Sequence, residues 1–193
     1  MKDSLTRPLV LASASPRRRE LLSLLSLPFE IVPSLAEEDI CGPGEERVRL
    51  LALRKAQEVA GRRPESAVLA ADTLVCVQRQ VLGKPVDEAD AARMLTLLSA
   101  KEHQVHTGVC LLLPGQEPKI EVCTTLVSFV ALSEETIRRY IATGEPMDKA
   151  GAYALQGRAG AFVSAIHGSP SNVIGLPMET VFRLLQAAGY TPF

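Results

Sequence analysis

The stretch SAVLAADTLVCVQ, residues 66–78, decides how the chain is built. It is rich in β-forming residues, with apolar positions on both sides of one polar interruption at Asp72-Thr73, and it reads as a strand of a sheet. The following RQVLGKP (79–85) reads as the turn and return strand of a hairpin. Upstream, PLVLA (8–12) is a second buried strand, and SASPRRRELLSLLS (13–26) sets a Ser and a Pro at the start of a helix carrying leucines at 21, 22, 24 and 25. FEIVPS (29–34) alternates as a strand should, a Gly- and Pro-rich loop closes at Gly44, and VRLLALRKAQEVA (48–60) has apolar residues at helical spacing until Arg62-Arg63-Pro64 breaks it.

Downstream of the hairpin, DEADAARMLTLLS (87–99) predicts a helix with Asp87 or Asp90 near its start and Met94, Leu95, Leu97 and Leu98 inward. HQVHTGVCLLLP (103–114) and KIEVCTTLVSFVAL (119–132), joined by the turn-prone PGQEP, predict two long antiparallel strands. Ser133 then caps a helix that ends at Gly144, with Thr136 where a full capping box would have Glu or Gln. A polar loop (144–160), a short strand (161–166), a loop HGSPSN and a helix from about Pro177 to Ala188 complete the chain. The expected architecture is mixed α/β: one domain over residues 1–193 with a twisted mixed sheet, flanking helices, and a cleft between two lobes.

Composition narrows the function. At 193 residues and 47% hydrophobic the chain can bury a core unaided, and 21 basic against 22 acidic residues leave no global field to recruit nucleic acid or an anionic membrane. Aromatic residues make up 4% with no Trp, which argues against a base-stacking face. Cys41, Cys76, Cys110 and Cys123 form no CxxC pair; Cys76 and Cys110 sit in apolar runs as small core residues, as in a reducing cytosol. The N-terminus passes from Met1 to Arg7 directly into a strand too short to be a signal peptide or membrane span, so a cytoplasmic location is expected.

Polar residues gather in loops at strand ends and helix entrances, where α/β folds hold ligands. Ser13, Ser15, Arg17 and Arg18 stand at a helix start, whose amides and dipole suit a phosphate. Asp72, placed between apolar runs, is costly unless it lies at a cleft, is paired, or binds metal. Glu37 and Glu38 supply further carboxylates, while Lys55 and Lys84 are cations suited to phosphate oxygens, although each alone reads most simply as a solvated surface charge. His103 and His106, three apart in a strand, face opposite ways and cannot clasp one ion; His167 reads as structural or exposed at an edge. Carboxylates without histidine partners favour a divalent metal cation such as Mg²⁺ or Mn²⁺.

Five segments taken together, LASASPRRRELL (11–22), AADT (70–73), LGKP (82–85), GEPMDKAGAYALQG (144–157) and GSPSNVIGLP (168–177), resemble the signature blocks of the Maf nucleotide pyrophosphatases, in order and over nearly the whole chain. The resemblance implies a fold related to inosine triphosphate pyrophosphatases, commonly a homodimer, and release of pyrophosphate from a nucleoside triphosphate substrate. It makes Asp72 the acid that activates water and holds the metal, with Glu38 as companion ligand. Arg17, Lys55 and Lys84 would grip the triphosphate, and Arg17, Thr73 and Gln156 would sort bases, with Asp148 and Lys149 among the substrate contacts of the same loop. DKAGAYALQG is similar to the branch acting on dTTP and UTP, rather than the sister branch on 7-methyl-GTP; a non-catalytic nucleotide-binding regulator of cell division is the alternative from another class. A glutamine amide donates and accepts at once, as the edge of uracil or thymine requires. The chain departs from the family pattern at Pro170, where an aromatic residue is common, and at Ala100, where Gly is common.

Overall fold

The computed structural model describes residues 7–193; Met1 to Thr6, the start of the expected domain and of the N-terminal reading above, lie outside them. The strands are β1 (Leu9–Leu11), β2 (Phe29–Ile31), β3 (Ala67–Val77), β4 (Gln80–Leu82), β5 (Glu102–Leu112), β6 (Lys119–Phe129) and β7 (Val163–His167). The helices are α1 (Pro16–Ser23), α2 (Gly44–Arg62), α3 (Glu88–Leu98), α4 (Glu134–Ile141), α5 (Pro170–Ile174) and α6 (Met178–Ala187). They form a mixed α/β fold around one seven-stranded sheet of order β2-β1-β3-β5-β6-β7, with β4 paired to β3. Strands β2, β1 and β3 run parallel because α1 and α2 carry the chain back between them, whereas β3 to β7 pair antiparallel.

The organising feature is β3, which runs unbroken through Asp72-Thr73 for 11 residues. One edge pairs continuously with β5 from Val68 to Cys76. The other edge is shared: β1 covers Ala67 to Leu69, β4 covers Val75 to Val77, and residues 70–74 have no strand partner there. Two elements arriving from opposite directions thus leave a gap with Asp72 and Thr73 in its middle.

Alternation along β3 assigns its side chains to the two faces. Val68 and Ala70 pack under α2 with Ala52, Ala56, Val59 and Cys110. On the opposite face the core divides: Leu69 and Ala71 join α1 and α6 through Leu21, Leu22, Val181 and Leu185, while Val75 and Val77 join α3 and α4 through Met94, Leu95, Ile137 and Tyr140. Thr73 lies between these two groups, where the expected cleft falls. Cys76 and Cys110 are buried, and burial pushes the Cys110 thiol up to about 12, as suits packing residues.

Helix α2 lies close to the sheet because β5 offers a glycine beneath it. Gly108 stands directly opposite Asp72, and a Cβ there would fall 2.3 Å from the Val48 carbonyl oxygen.

Local signals explain the ends of elements. Ser15 caps α1 ahead of Pro16, Asp87 caps α3, and Ser133 caps α4 by accepting from Thr136 N–H at 3.2 Å. Three corrections apply to the reading of the C-terminal third. The loop expected over residues 167–172 instead runs into the short helix α5 from Pro170 onward, with Ser169 as cap and Pro170 at its first position, where a missing N–H costs nothing. The last strand begins at Val163, because residues 158–162 form a 3₁₀ turn instead. The polar loop before it is likewise wound into two short 3₁₀ turns, too brief to show periodicity.

Two outcomes are expected. Gly108→Ala should destabilise the fold by about 1–3 kcal/mol through overpacking and lift α2, measurable as a lower denaturation midpoint. Ala100 sits at φ 56°, a left-handed conformation that a Cβ disfavours. Ala100→Gly should therefore stabilise by about 0.5–1 kcal/mol, and an unchanged or lower melting temperature would contradict this account.

Candidate active site

Asp72 and Thr73 leave the gap in β3 on opposite faces. Asp72 points to the α2 side. The inward stripe of α2 runs Val48, Leu51, Ala52, Lys55, Ala56 and Val59, so helical spacing carries Lys55 into the interior with its apolar neighbours. Lys55 is 8% exposed and Asp72 6%. Two ions this deep lose several kcal/mol of hydration each, roughly, and persist only when paired. Lys55 Nζ lies 2.6 Å from Asp72 Oδ1 and 2.6 Å from Glu38 Oε1.

Glu38 reaches this point from the loop between β2 and α2. Burial raises its carboxyl pKa, but the hydrogen bond and charge of Lys55, aided by Lys84 and Arg18, prevail and hold it below the usual range. Lys84, exposed just beyond β4, thus adds its positive charge to the field at the same carboxylate. The adjoining acids are not recruited: Asp39 pairs with Arg54 at 2.5 Å, Arg54 also takes the Glu37 carbonyl, and the Glu37 side chain is exposed.

On the other face Arg18 is the centre. It donates from Nε to the Gly175 carbonyl at 2.8 Å, from Nη1 to Ser13 Oγ at 3.3 Å and from Nη2 to Thr73 Oγ1 at 3.0 Å. Burial lowers its pKa, and the nearby carboxylates of Asp72 and Glu38 act against that fall. Arg18 thus fastens α1 to β3 and to the end of α5. Ser13 also accepts from Ser15 N–H, which leaves Ser15 to cap the helix.

Arg17 projects differently, facing Asp148 at 3.8 Å across the gap. Asp148 also pairs with Lys149, whose ammonium donates to the Glu145 carbonyl at 2.6 Å. Gln156 is exposed on the same loop. Of the cations expected at phosphate, then, Arg17, Lys55 and Lys84 border the gap, whereas Arg18 and Lys149 are engaged in holding loops together.

Two residues escaped the sequence reading. Thr107 and Asn172 are fully buried polar side chains lying beneath Thr73. Thr107 Oγ1 is 2.9 Å from Thr73 Oγ1 and 3.2 Å from the Asn172 carbonyl oxygen. Asn172 is anchored by its amide, which donates to the Val105 carbonyl and Thr125 Oγ1. Nothing in a single strand or loop marks either residue, because their partners come from other elements.

The histidines stand apart from this arrangement. His103 meets Tyr153 at 2.8 Å, and burial brings it down to about 4; His106 bonds Thr124, and His167 is exposed at the end of β7. No three His, Cys, Asp or Glu residues among the described residues converge to hold a metal. Glu38 and Asp72 are the carboxylates that do meet, and Lys55 takes one oxygen of each. Two carboxylates completed by water and substrate phosphates suit Mg²⁺ or a similar hard cation, so the donor set fits such an ion. An apolar cavity of about 530 Å³ lined by Leu9, Leu27, Phe29 and Tyr190 lies elsewhere, at the opposite end of β1.

Residues 8–188 match a family model described as Maf-like protein. The chain belongs to the Maf family. Among curated Maf relatives, a protein of Thermococcus gammatolerans named dTTP/UTP pyrophosphatase is 52% identical, aligned over 91% of this chain and 94% of its own. A Geobacillus protein of the same name is 50% identical over 95% of this chain and 100% of its own. Among solved structures, the Staphylococcus aureus Ham1 protein aligns over 94% of this chain and 97% of that one at 14% identity, with a TM-score of 0.49, a likeness too loose to bear on the site. The five Maf blocks border one gap: the first ends β1 and opens α1, the second is the middle of β3, the third follows β4, and the last contains α5. The fourth is tied to the third where Gly151 N–H donates to the Gly83 carbonyl at 3.0 Å.

Removing the shared cation isolates the pairing. Lys55→Met should cost about 3 kcal/mol of stability at pH 8. Without the ammonium the facing carboxylates favour a proton, so the folded state binds it more tightly than the unfolded chain and the loss should shrink as pH falls toward 5. Equal destabilisation in urea titrations at both pH values would rule this out.

Proposed function

We propose that this Maf protein hydrolyses dTTP and UTP to the monophosphate and pyrophosphate. The observation that carries the reading is the Lys55 ammonium between Asp72 and Glu38 at the open edge of β3, with Lys84 and Arg17 on its borders. Buried acid and converging cations suit a reaction in which water attacks phosphorus and charge moves onto a leaving pyrophosphate. The names of the relatives at about half identity supply the substrate class.

Asp72 orients the attacking water and accepts its proton. Lys55 keeps the Asp72 carboxylate in place and turns its remaining charge toward phosphate. Arg17 and Lys84 bind phosphate oxygens from opposite sides, and Arg17 contributes with Thr73 and Gln156 to base choice. A divalent Mg²⁺ or Mn²⁺ ion held by Glu38 and Asp72 would neutralise charge on the phosphate oxygens. Gln156 offers a donor and an acceptor to the uracil or thymine edge, whereas a purine presents a different edge and size. The proposal extends to a cytosolic homodimer.

The test is product analysis across dTTP, UTP, CTP, GTP and 7-methyl-GTP, with metal and with chelator. Monophosphate and intact pyrophosphate from dTTP and UTP, lost with chelator and restored by Mg²⁺ or Mn²⁺, are expected. Asp72→Asn should melt as a folded protein and lose roughly 10²–10⁴ in turnover. Wild-type pyrophosphate release by that variant would remove Asp72 from its role, and exclusive turnover of 7-methyl-GTP would move the protein to the other Maf branch.

A further inference from the structure

The loop between α4 and β7, residues 142–162, is closed near its base by one side chain. The Glu145 carboxylate, 14% exposed, accepts from donors on both limbs of the loop. Tyr140 of α4 donates its hydroxyl to Oε1 at 3.0 Å, and the Arg158 amide and guanidinium donate to Oε2 at 3.2 and 3.3 Å. The Ala159 amide is a further donor. Burial acts to raise the carboxyl pKa, but these donors prevail and hold it below the usual range. Gly157 makes room for the group: a Cβ there would fall 2.2 Å from Glu145 Oε1 and 2.6 Å from its Cδ. The Gly157 φ of −108° is open to any residue, so this glycine answers to the carboxylate and not to the backbone.

Between those two ends the loop borders the gap. Asp148 faces Arg17 at 3.8 Å, and Gly151 N–H donates to the Gly83 carbonyl, next to Lys84. Lys149 ties back to the Glu145 carbonyl at 2.6 Å, so the main chain and the side chain of Glu145 both hold the loop. We infer that Glu145 is a positioning residue, which by joining residues 140 and 158 fixes the wall of the gap opposite Arg17 and so sets how tightly a triphosphate is bound. A carboxylate suits this task because it accepts several hydrogen bonds and donates none, whereas an amide would turn N–H groups against N–H groups. The inference rests on the proposed binding of triphosphate in the gap, and it requires no contact between Glu145 and the ligand. A displaced wall weakens substrate and transition state alike, so the loss falls on KM and leaves kcat nearly as it was.

The experiment measures kcat and KM for UTP, and the calorimetric Kd for α,β-methylene-UTP with Mg²⁺, in the wild type, Glu145→Ala, Glu145→Gln, Gly157→Ala and the Glu145→Ala/Gly157→Ala double variant. Thermal melting of each shows which are folded. Each single variant should raise KM and Kd about tenfold and keep kcat within about threefold. The double variant should match Glu145→Ala, because the added methyl group then enters space that the carboxylate has left. Unchanged Kd in the folded variants overturns the inference, as does a fall in kcat with KM unchanged, or a double variant in which the two losses multiply. Should neither Glu145 variant fold, Gly157→Ala decides by its Kd alone. A wild type that binds the analogue without hydrolysing UTP would sink the proposed function and leave the Kd comparison standing, whereas one that binds no triphosphate overturns both.

Discussion

A buried carboxylate in the middle of a hydrophobic strand is the constraint to which the rest of this molecule answers. Asp72 cannot keep its charge in that setting without a cation, and the cation comes from α2, whose apolar stripe carries Lys55 to the sheet. Helix α2 approaches closely enough only because Gly108 lies opposite Asp72. Glu38 then shares the same ammonium from a loop that would otherwise have little to hold it there. A charge pair, a helix position and a missing side chain are therefore parts of one arrangement.

The sheet exposes this arrangement through its pairing. Strand β3 is longer than either neighbour on its outer edge, and β1 and β4 stop short of each other, so the gap between them opens on both faces. On one face lies the Lys55 cluster, and on the other the Arg18, Thr73, Thr107 and Asn172 chain. Consecutive residues of one strand thus enter two settings, a charge cluster at Asp72 and a hydrogen-bond network at Thr73, because strand geometry turns neighbours to opposite sides.

Much of the fold was legible in residue order. Alternating and continuous apolar runs marked the strands, helical spacing marked α2 and α3, and Ser15-Pro16, Asp87 and Ser133 marked helix starts. Short-range structure without periodicity was not legible: α5 and the 3₁₀ turns of residues 145–162 were read as loop or strand. In the site, Asp72 stood out because its apolar flanks made it costly. Lys55 did not stand out as a single residue, although its place within the apolar stripe of α2 held the information. Arg17 and Arg18 look alike in sequence, yet Arg17 reaches toward Asp148 while Arg18 is a half-buried clamp on Thr73 and the Gly175 carbonyl, a distinction set by tertiary contacts.

Residue order by itself determined the longer strands and helices, that the chain has a Maf pattern, and that an acid sits where only a cation or a ligand can tolerate it. These follow from periodicity, capping and the cost of burying charge, all of which act over a few neighbouring residues. Tertiary structure alone decided which cation meets that acid, which arginine remains at the gap, and that Thr107 and Asn172 stand behind Thr73. Those outcomes depend on contacts between residues 17 to 157 positions apart, and their energies arise only when the sheet and α2 have brought the partners within hydrogen-bond distance.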